Sequence, residues 1–392
     1  MIPVTVMTIG KGTVSTSIKG EYGKRQPSRF SNVLRPVVFW NITYKCNLKC
    51  KHCYLNAGPS PSKPELDTKK LLEIADQLIE HEIPLVIFTG GEPLARDDFW
   101  IVAERLSEHK RPRLSLSTNG TLITKSVAKK LKDYGFVYVG VSIDSLNPAL
   151  HDEFRGVKGA FAAAVKGIEN ALSEDLQVGL RTTITRWNID EVEDIIDFAS
   201  RLGVTRVSLY ILDTIGRAVE IKNQMPSPSQ LKEFSEKLIH ITRKYPDVEV
   251  LVVRANFIGI YIASLLAKTK QEFIEYLNML EAQGDCGRKT ISIYPDGTVR
   301  PCQFIDYVII GDLRRQKLAE ILRLDNPKLR LFIEAYKMLR GDRCRRCPFR
   351  RICGGGSRNR ALVLNRDFWG DEPLCFINFS ELELKWDIKE VL

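Results

Sequence analysis

The sequence predicts an α/β fold, and three observations lead there. From residue 37 to residue 290, short apolar runs suited to buried strands alternate with stretches whose apolar residues recur at helical spacing. Strand precedes helix throughout, which is the pattern of parallel strands joined by crossover helices, in a barrel or an open doubly wound sheet. From Cys286 the texture changes, and six cysteines fall within ninety residues: Cys286, Cys302, Cys344, Cys347, Cys353 and Cys375.

Residues 1–35 are polar and rich in Lys, Arg, Ser and Gly, so they read as an N-terminal arm or short hairpin. Val37 to Thr43 is a buried strand, and Leu71, Leu72, Ile74, Ala75, Leu78 and Ile79 form a helix stripe. Strand signals follow at 85–88, 114–117, 137–143, 180–184, 207–211 and 248–253, with helices at 98–109, 124–134, 159–173, 190–202 and 229–244. Two further helices are expected at 256–267 and 270–282. Pro295-Asp296-Gly297 between the alternating runs 290–294 and 298–303 is a hairpin turn signal. The expected organisation is an arm at 1–35, an alternating domain at 36–284 and a separate cysteine-rich, metal-bearing domain at 285–392.

Composition narrows the function. No run approaches the ~20 apolar residues of a membrane span, and the N-terminus lacks the regions of a signal peptide. A cytoplasmic protein without a membrane partner is expected, and nine cysteines there point to metal or catalysis before disulfides. Lys and Arg exceed Asp and Glu by 58 to 48. That balance suits an anionic partner or a solvated basic face. Nucleic acid is not expected, because no aromatic stacking platform accompanies a basic run.

The most informative motif is Cys46-Asn-Leu-Lys-Cys50-Lys-His-Cys53. Three thiolates ligate three irons of a cubic 4Fe-4S cluster and leave the fourth open for another ligand. Zinc is the rival occupant, with His52 or His109 as a fourth ligand. Core cysteines are a poor reading beside Lys45, Lys49 and Lys51. The triplet directly follows the first strand, and in a barrel chemistry gathers at the carboxyl ends of strands. The second strand ends in Thr89-Gly90-Gly91-Glu92-Pro93, where two glycines permit close backbone approach and Glu92 places a carboxylate on the active face.

These two motifs resemble the radical S-adenosylmethionine (SAM) superfamily. The resemblance implies a partial (β/α)6 TIM-like barrel and a cluster whose open iron chelates the amino and carboxylate groups of SAM. It also implies formation of a 5′-deoxyadenosyl radical that abstracts hydrogen from unactivated carbon, shielded inside a barrel. Gly90, Gly91, Glu92 and Pro93 match the motif that holds the SAM amino group, and His52 matches the aromatic position near adenine. Ser117, Asn119 and Ser142, with Asp144 next to it, match polar residues contacting ribose or the methionyl group. Arg181 matches a basic position near the SAM carboxylate. A low-potential electron donor such as ferredoxin or flavodoxin is implied as partner.

The tail resembles the SPASM/twitch extension, which carries auxiliary iron–sulfur clusters. Cys344, Cys347, Cys353 and Cys375 match one complete 4Fe-4S ligand set, for which structural zinc is the rival. Cys286 and Cys302 match an incomplete one, because Ser357 stands where the pattern has its next cysteine. The pair is left open between metal ligands, with Ser357 or substrate completing the set, and a free pair or disulfide.

Several runs resemble the haem-modifying branch: Arg35 to Thr43, Phe154 to Phe161, Leu212 to Ala218, Ile352 to Ala361 and Asp367 to Cys375. The resemblance implies removal of acetate groups from an iron porphyrinoid, didecarboxysirohaem. Arg217, Arg254, Arg300, Arg358 and Arg360 are candidate carboxylate partners. Tyr210 and His240 are candidate iron ligands, with nothing to select one. The alternatives are a SPASM maturase acting on a ribosomal precursor peptide and an iron–sulfur electron carrier without catalysis. Residues 1–35 are short for the leader-binding domain of the first, and the Gly90 motif argues against the second.

Overall fold

A computed structural model describes residues 1–12, 34–281 and 286–387. Among the described residues, eleven strands form one open sheet: β1 (Ile2–Pro3), β2 (Val37–Thr43), β3 (Leu85–Gly90), β4 (Arg113–Thr118), β5 (Phe136–Ser142), β6 (Val178–Ile184), β7 (Arg206–Ile211), β8 (Glu249–Val253), β9 (Thr290–Ile293), β10 (Thr298–Arg300) and β11 (Gly311–Asp312). The spatial order is β1-β8-β7-β6-β5-β4-β3-β2-β9-β10-β11. Strands β2 to β8 are parallel and adjacent in chain order, joined by helices. This is the expected partial barrel, with β8 added to the six strands of the (β/α)6 pattern.

The helices start where side chains supply the missing acceptors of the first turn. Asp67 accepts from the Lys70 amide at 2.8 Å ahead of helix 68–80. Ser227 and Gln230 form a capping box on helix 228–244, with Pro228 in its first turn. Trp40, Phe88, Phe99 and Phe136 meet between the sheet and its helices, with Trp40 and Phe88 stacked at 5.7 Å.

Two expectations change. Residues 1–12 are not a free arm: β1 pairs antiparallel with β8, and helix Val4–Ile9 packs on helix 228–244, with Thr8 and Thr242 hydroxyls 2.9 Å apart. The rest of the expected arm, 13–33, lies outside the described residues, as does the expected boundary at 284–285. The tail is not separate in its backbone either, since β9 pairs in parallel with β2 from Val37–Thr290 to Trp40–Ile293. The β9–β10 hairpin turns at Gly297 as expected, with φ +83°. Among the described residues no helix is long and apolar enough to cross a membrane.

Candidate active site

The carboxyl ends of β2 to β8 surround a cavity of about 160 Å³. Cys46, Cys50 and Cys53 stand on one side of it, on the loop that leaves β2. Each sulfur accepts an N–H: Cys46 from the Leu48 amide (3.4 Å) and Asn119 Nδ2 (3.9 Å), Cys50 from Arg155 (3.8 Å), and Cys53 from the Ala57 amide (3.3 Å). Burial, and then the charge of Glu92, pushes the Cys46 thiol up to about 12. Buried sulfurs grouped beside a carboxylate become thiolates only with a cation among them, so this donor set suits a metal cluster. His52 Nδ1 and Arg217 Nη2 are buried polar atoms without a partner among the described residues, and both side chains line the cavity.

The glycines hold the cysteine loop against β3. The Gly91 amide donates to Thr43 O at 2.7 Å and the Glu92 amide to Lys45 O at 2.9 Å. A Cβ on Gly91 would lie 2.1 Å from Lys45 O, and Gly90 has φ +125°. Below them, Arg96 donates to Glu65 (2.9 Å), to Ile42 O (2.8 Å) and to Leu66 O (2.7 Å), while Glu65 accepts from Thr43 Oγ1 at 2.9 Å.

In the tail, Cys344, Cys347, Cys353 and Cys375 line one small cavity of about 30 Å³ with Phe257, Ile260 and Phe349. Burial raises all four thiols, Cys347 to about 11 and Cys375 to about 12, and Cys353 is raised further by the three other sulfurs. Four cysteines on one small cavity match in number the ligand set of a fully ligated cluster. None of the nine cysteines is in a disulfide.

A second cavity of about 180 Å³ opens between the barrel and the tail. It shares Tyr210, Arg254, Gln303 and Phe304 with the first and reaches Cys286, Cys302 and Cys353.

Comparison with known proteins decides the family. Residues 40–199 match the family model described as the radical SAM superfamily, and residues 285–348 match an iron–sulfur cluster-binding domain, SPASM. The chain is 35% identical to the Fe-coproporphyrin III synthase of Methanosarcina barkeri, over 95% of this chain and 96% of that one. It is 31% identical to the pre-heme d1 synthase of Dinoroseobacter shibae, over 90% and 89%. The chain belongs to the radical SAM superfamily. It falls in the SPASM-bearing, haem-biosynthesis branch. Solved structures share its fold. Streptococcus suis SuiB bound to precursor peptide SuiA matches with TM-score 0.70 at 18% identity, over 88% of this chain and 77% of that one. Native anSMEcpe with bound AdoMet matches with TM-score 0.65 at 20% identity, over 91% and 98%. This protein is therefore a radical SAM enzyme of the haem-biosynthesis type, using a 4Fe-4S cluster, SAM and auxiliary iron–sulfur chemistry. A carrier without catalysis is set aside.

Within this radical SAM enzyme, His52, Gly90, Gly91, Ser117, Asn119, Ser142 and Arg181 line the first cavity with the cysteine triplet. His52 stacks on Phe154 at 4.3 Å, and the Arg181 guanidinium lies 4.9 Å over the Tyr210 ring. Asn119 is spent locally, donating to Asn47 and accepting from Thr121. Glu92 and Pro93 do not line the cavity. The buried Glu92 carboxylate turns inward, accepts from the Thr118 hydroxyl (2.8 Å) and Asn119 amide (2.9 Å), and caps the short turn that Pro93 begins. Asp144 also turns away, paired with Arg155.

Of the five candidate carboxylate partners, Arg217, Arg254 and Arg358 line the cavities. Arg254 is already paired with Asp213, and Arg358 donates to the carbonyls of Phe368, Gly370 and Gly355. Arg360 is fully buried on Glu372, and Arg300 lies 4.3 Å over the Tyr294 ring. His240 is exposed on helix 228–244 and His109 follows helix 99–107, both outside the cavities. Ser357 is not available as a ligand. It caps helix 358–365, donates to Asp213 and accepts from Arg254 at 2.9 Å. Sequence reasoning missed Arg155, the link between Asp144 and Cys50, because its partners lie on other elements. Arg96, three residues after the Gly-Gly-Glu-Pro run, was nearer to hand.

Proposed function

We propose that this enzyme removes acetate side chains from an iron porphyrinoid of the didecarboxysirohaem type. The observation that carries the reading is the second cavity, which opens directly off the SAM-side cavity and is walled by Phe304, Phe332 and Tyr336 with Arg254, Arg351 and Arg358. An apolar slot suits a flat macrocycle. Although Arg254 and Arg358 are engaged with Asp213 and backbone carbonyls, Arg217 on the adjoining cavity keeps a donor, unpartnered among the described residues, for a carboxylate. The Fe-coproporphyrin III synthase of Methanosarcina barkeri supports it by kinship. Coproporphyrin carries methyl and propionate groups and no acetates, as the product of acetate removal would.

In this reading Cys46, Cys50 and Cys53 hold the reactive cluster, and Cys344, Cys347, Cys353 and Cys375 hold an auxiliary one. Bound there, cluster and SAM supply abstraction of hydrogen from an unactivated carbon. The chain's own residues set the rest. The Gly90–Gly91 backbone, His52, Ser117, Ser142 and Arg181 receive the cofactor. Arg217 Nη2 offers a donor to a carboxylate. Tyr54, Phe304 and Tyr210 form an aromatic wall, with centroid spacings of 5.6 and 6.3 Å, beside the residues the two cavities share. A low-potential ferredoxin or flavodoxin is the electron donor this chemistry asks for.

Anaerobic incubation with didecarboxysirohaem, SAM and dithionite tests the substrate. The expected outcome is 5′-deoxyadenosine together with a tetrapyrrole lighter by its acetates. An unchanged tetrapyrrole mass, with 5′-deoxyadenosine formed, overturns the substrate and leaves the radical chemistry standing.

A further inference from the structure

Cys286 and Cys302 stand where the tail's resemblance implies a second auxiliary cluster, and the structure does not complete that ligand set. Ser357, at the position of the third sulfur, is fully buried and lines neither cavity. Its hydroxyl donates to Asp213, accepts from Arg254, and accepts from the Arg360 amide at 3.4 Å. A ligand engaged in three hydrogen bonds at a helix start is not free to turn toward iron.

What remains is a pair of sulfurs. Cys286 and Cys302 belong to one apolar cluster and line the second cavity together with Arg254, whose guanidinium lies 5.0 Å over the Phe304 ring. They sit among Ile305, Phe332, Phe304 and Phe368 and open on the second cavity. Two sulfurs do not hold a cube, which takes a protein ligand on three or four of its irons. A single thiolate does hold the iron of a porphyrin, and a nearby cation balances the charge it brings.

We propose that Cys302, supported by Cys286, is the protein ligand to the iron of the substrate macrocycle. This rests on the porphyrinoid reading above. Binding forms an Fe–S bond and breaks the S–H bond, the proton leaves to solvent, and no oxidation state changes. With its iron fixed at Cys302, the macrocycle would present an edge toward Tyr210, Arg254, Gln303 and Phe304, the residues common to both cavities. The thiolate would thus be a positioning device that sets which side chain of the ring reaches the radical site.

The test uses full-length protein reconstituted anaerobically, with iron coproporphyrin III as the probe and SAM omitted. About eight irons per chain are expected before the probe is added, one open and one closed cube. Bound probe, reduced with dithionite under carbon monoxide, should show the strongly red-shifted Soret band of a thiolate-ligated ferrous carbonyl. Cys302→Ser should abolish that band and weaken binding at least about tenfold while keeping its irons. Cys286→Ser should keep the band. If Cys302→Ser does not fold, the wild-type spectrum decides alone. About twelve irons, falling to about eight in Cys286→Ser, would mean a second auxiliary cluster and overturn the proposal. So would probe bound with an oxygen- or nitrogen-ligand spectrum, as Tyr210 would give. Failure of the probe to bind at all removes the porphyrinoid reading as well, which separates the two failures.

Discussion

Glu92 shows at the scale of one residue how a motif position works from behind the site. Its carboxylate is buried, and burial pushes its pKa up to about 7 against the pull of the Asn119 amide, the Thr118 hydroxyl and the Leu94 amide. The folded chain therefore holds this proton more tightly than the unfolded chain does. The stabilisation is full below the unfolded value of about 4.3 and is lost as pH rises to about 7. At about 1.4 kcal/mol per pH unit the swing is on the order of 4 kcal/mol. Glu92→Gln should flatten the fall in unfolding free energy across that window relative to wild type, and parallel curves would show that the native carboxyl is ionised throughout. The Gly-Gly-Glu-Pro run was legible as a site marker. That the carboxylate faces inward was not, because the hydroxyl and amide that claim it come from β4, the next strand.

At the scale of elements, the crossing of the β3 end over the cysteine loop is a tight joint beside the site. A methyl at Gly91 would meet the Lys45 carbonyl at 2.1 Å, and backbone cannot yield as a flexible side chain does. Gly91→Ala should cost about 1–3 kcal/mol or more and lower the iron content by about four, the barrel cluster, with the tail cluster retained. Gly58→Ala, on the same loop with nothing within 4 Å of the added methyl, is the control and should keep its iron. Equal iron in both variants would show that the joint is loose.

The strands β2 to β8 and most of their helices were readable because periodicity and length agreed. Helix Pro148–Arg155 was not, although Asn147-Pro148 is a start signal and Asn147 caps it, because its face is short and Leu150 is exposed. Helix Val4–Ile9 ran against propensity. Val, Thr and Ile favour strands, and only packing on helix 228–244 and β8 makes this segment helical.

At the scale of the molecule, barrel and tail are tied by a buried charge network. Asp213 at the end of β7 pairs with Arg254 after β8 and accepts from Ser357 and Asn359 in the tail. Arg360 carries the tie further, donating to Glu372 at 2.9 Å and to the carbonyls of Leu212 and Arg254. Both members of the Arg360–Glu372 pair are essentially without solvent contact. Removing one partner leaves a buried charge uncompensated, which costs about 3–5 kcal/mol, whereas an apolar pair of similar volume can be neutral. Arg360→Met should therefore destabilise the chain by that amount and lose about four irons from the tail, since Glu372 also orders the segment before Cys375 through the Leu374 amide. Arg360→Met combined with Glu372→Leu should recover most of the unfolding free energy but not the iron, because the Ser357 and Leu374 amides lose their shared acceptor. If the double variant is no more stable than Arg360→Met, the cost lies in Arg360's bonds to Leu212 and Arg254 across the joint, and the pair itself contributes little.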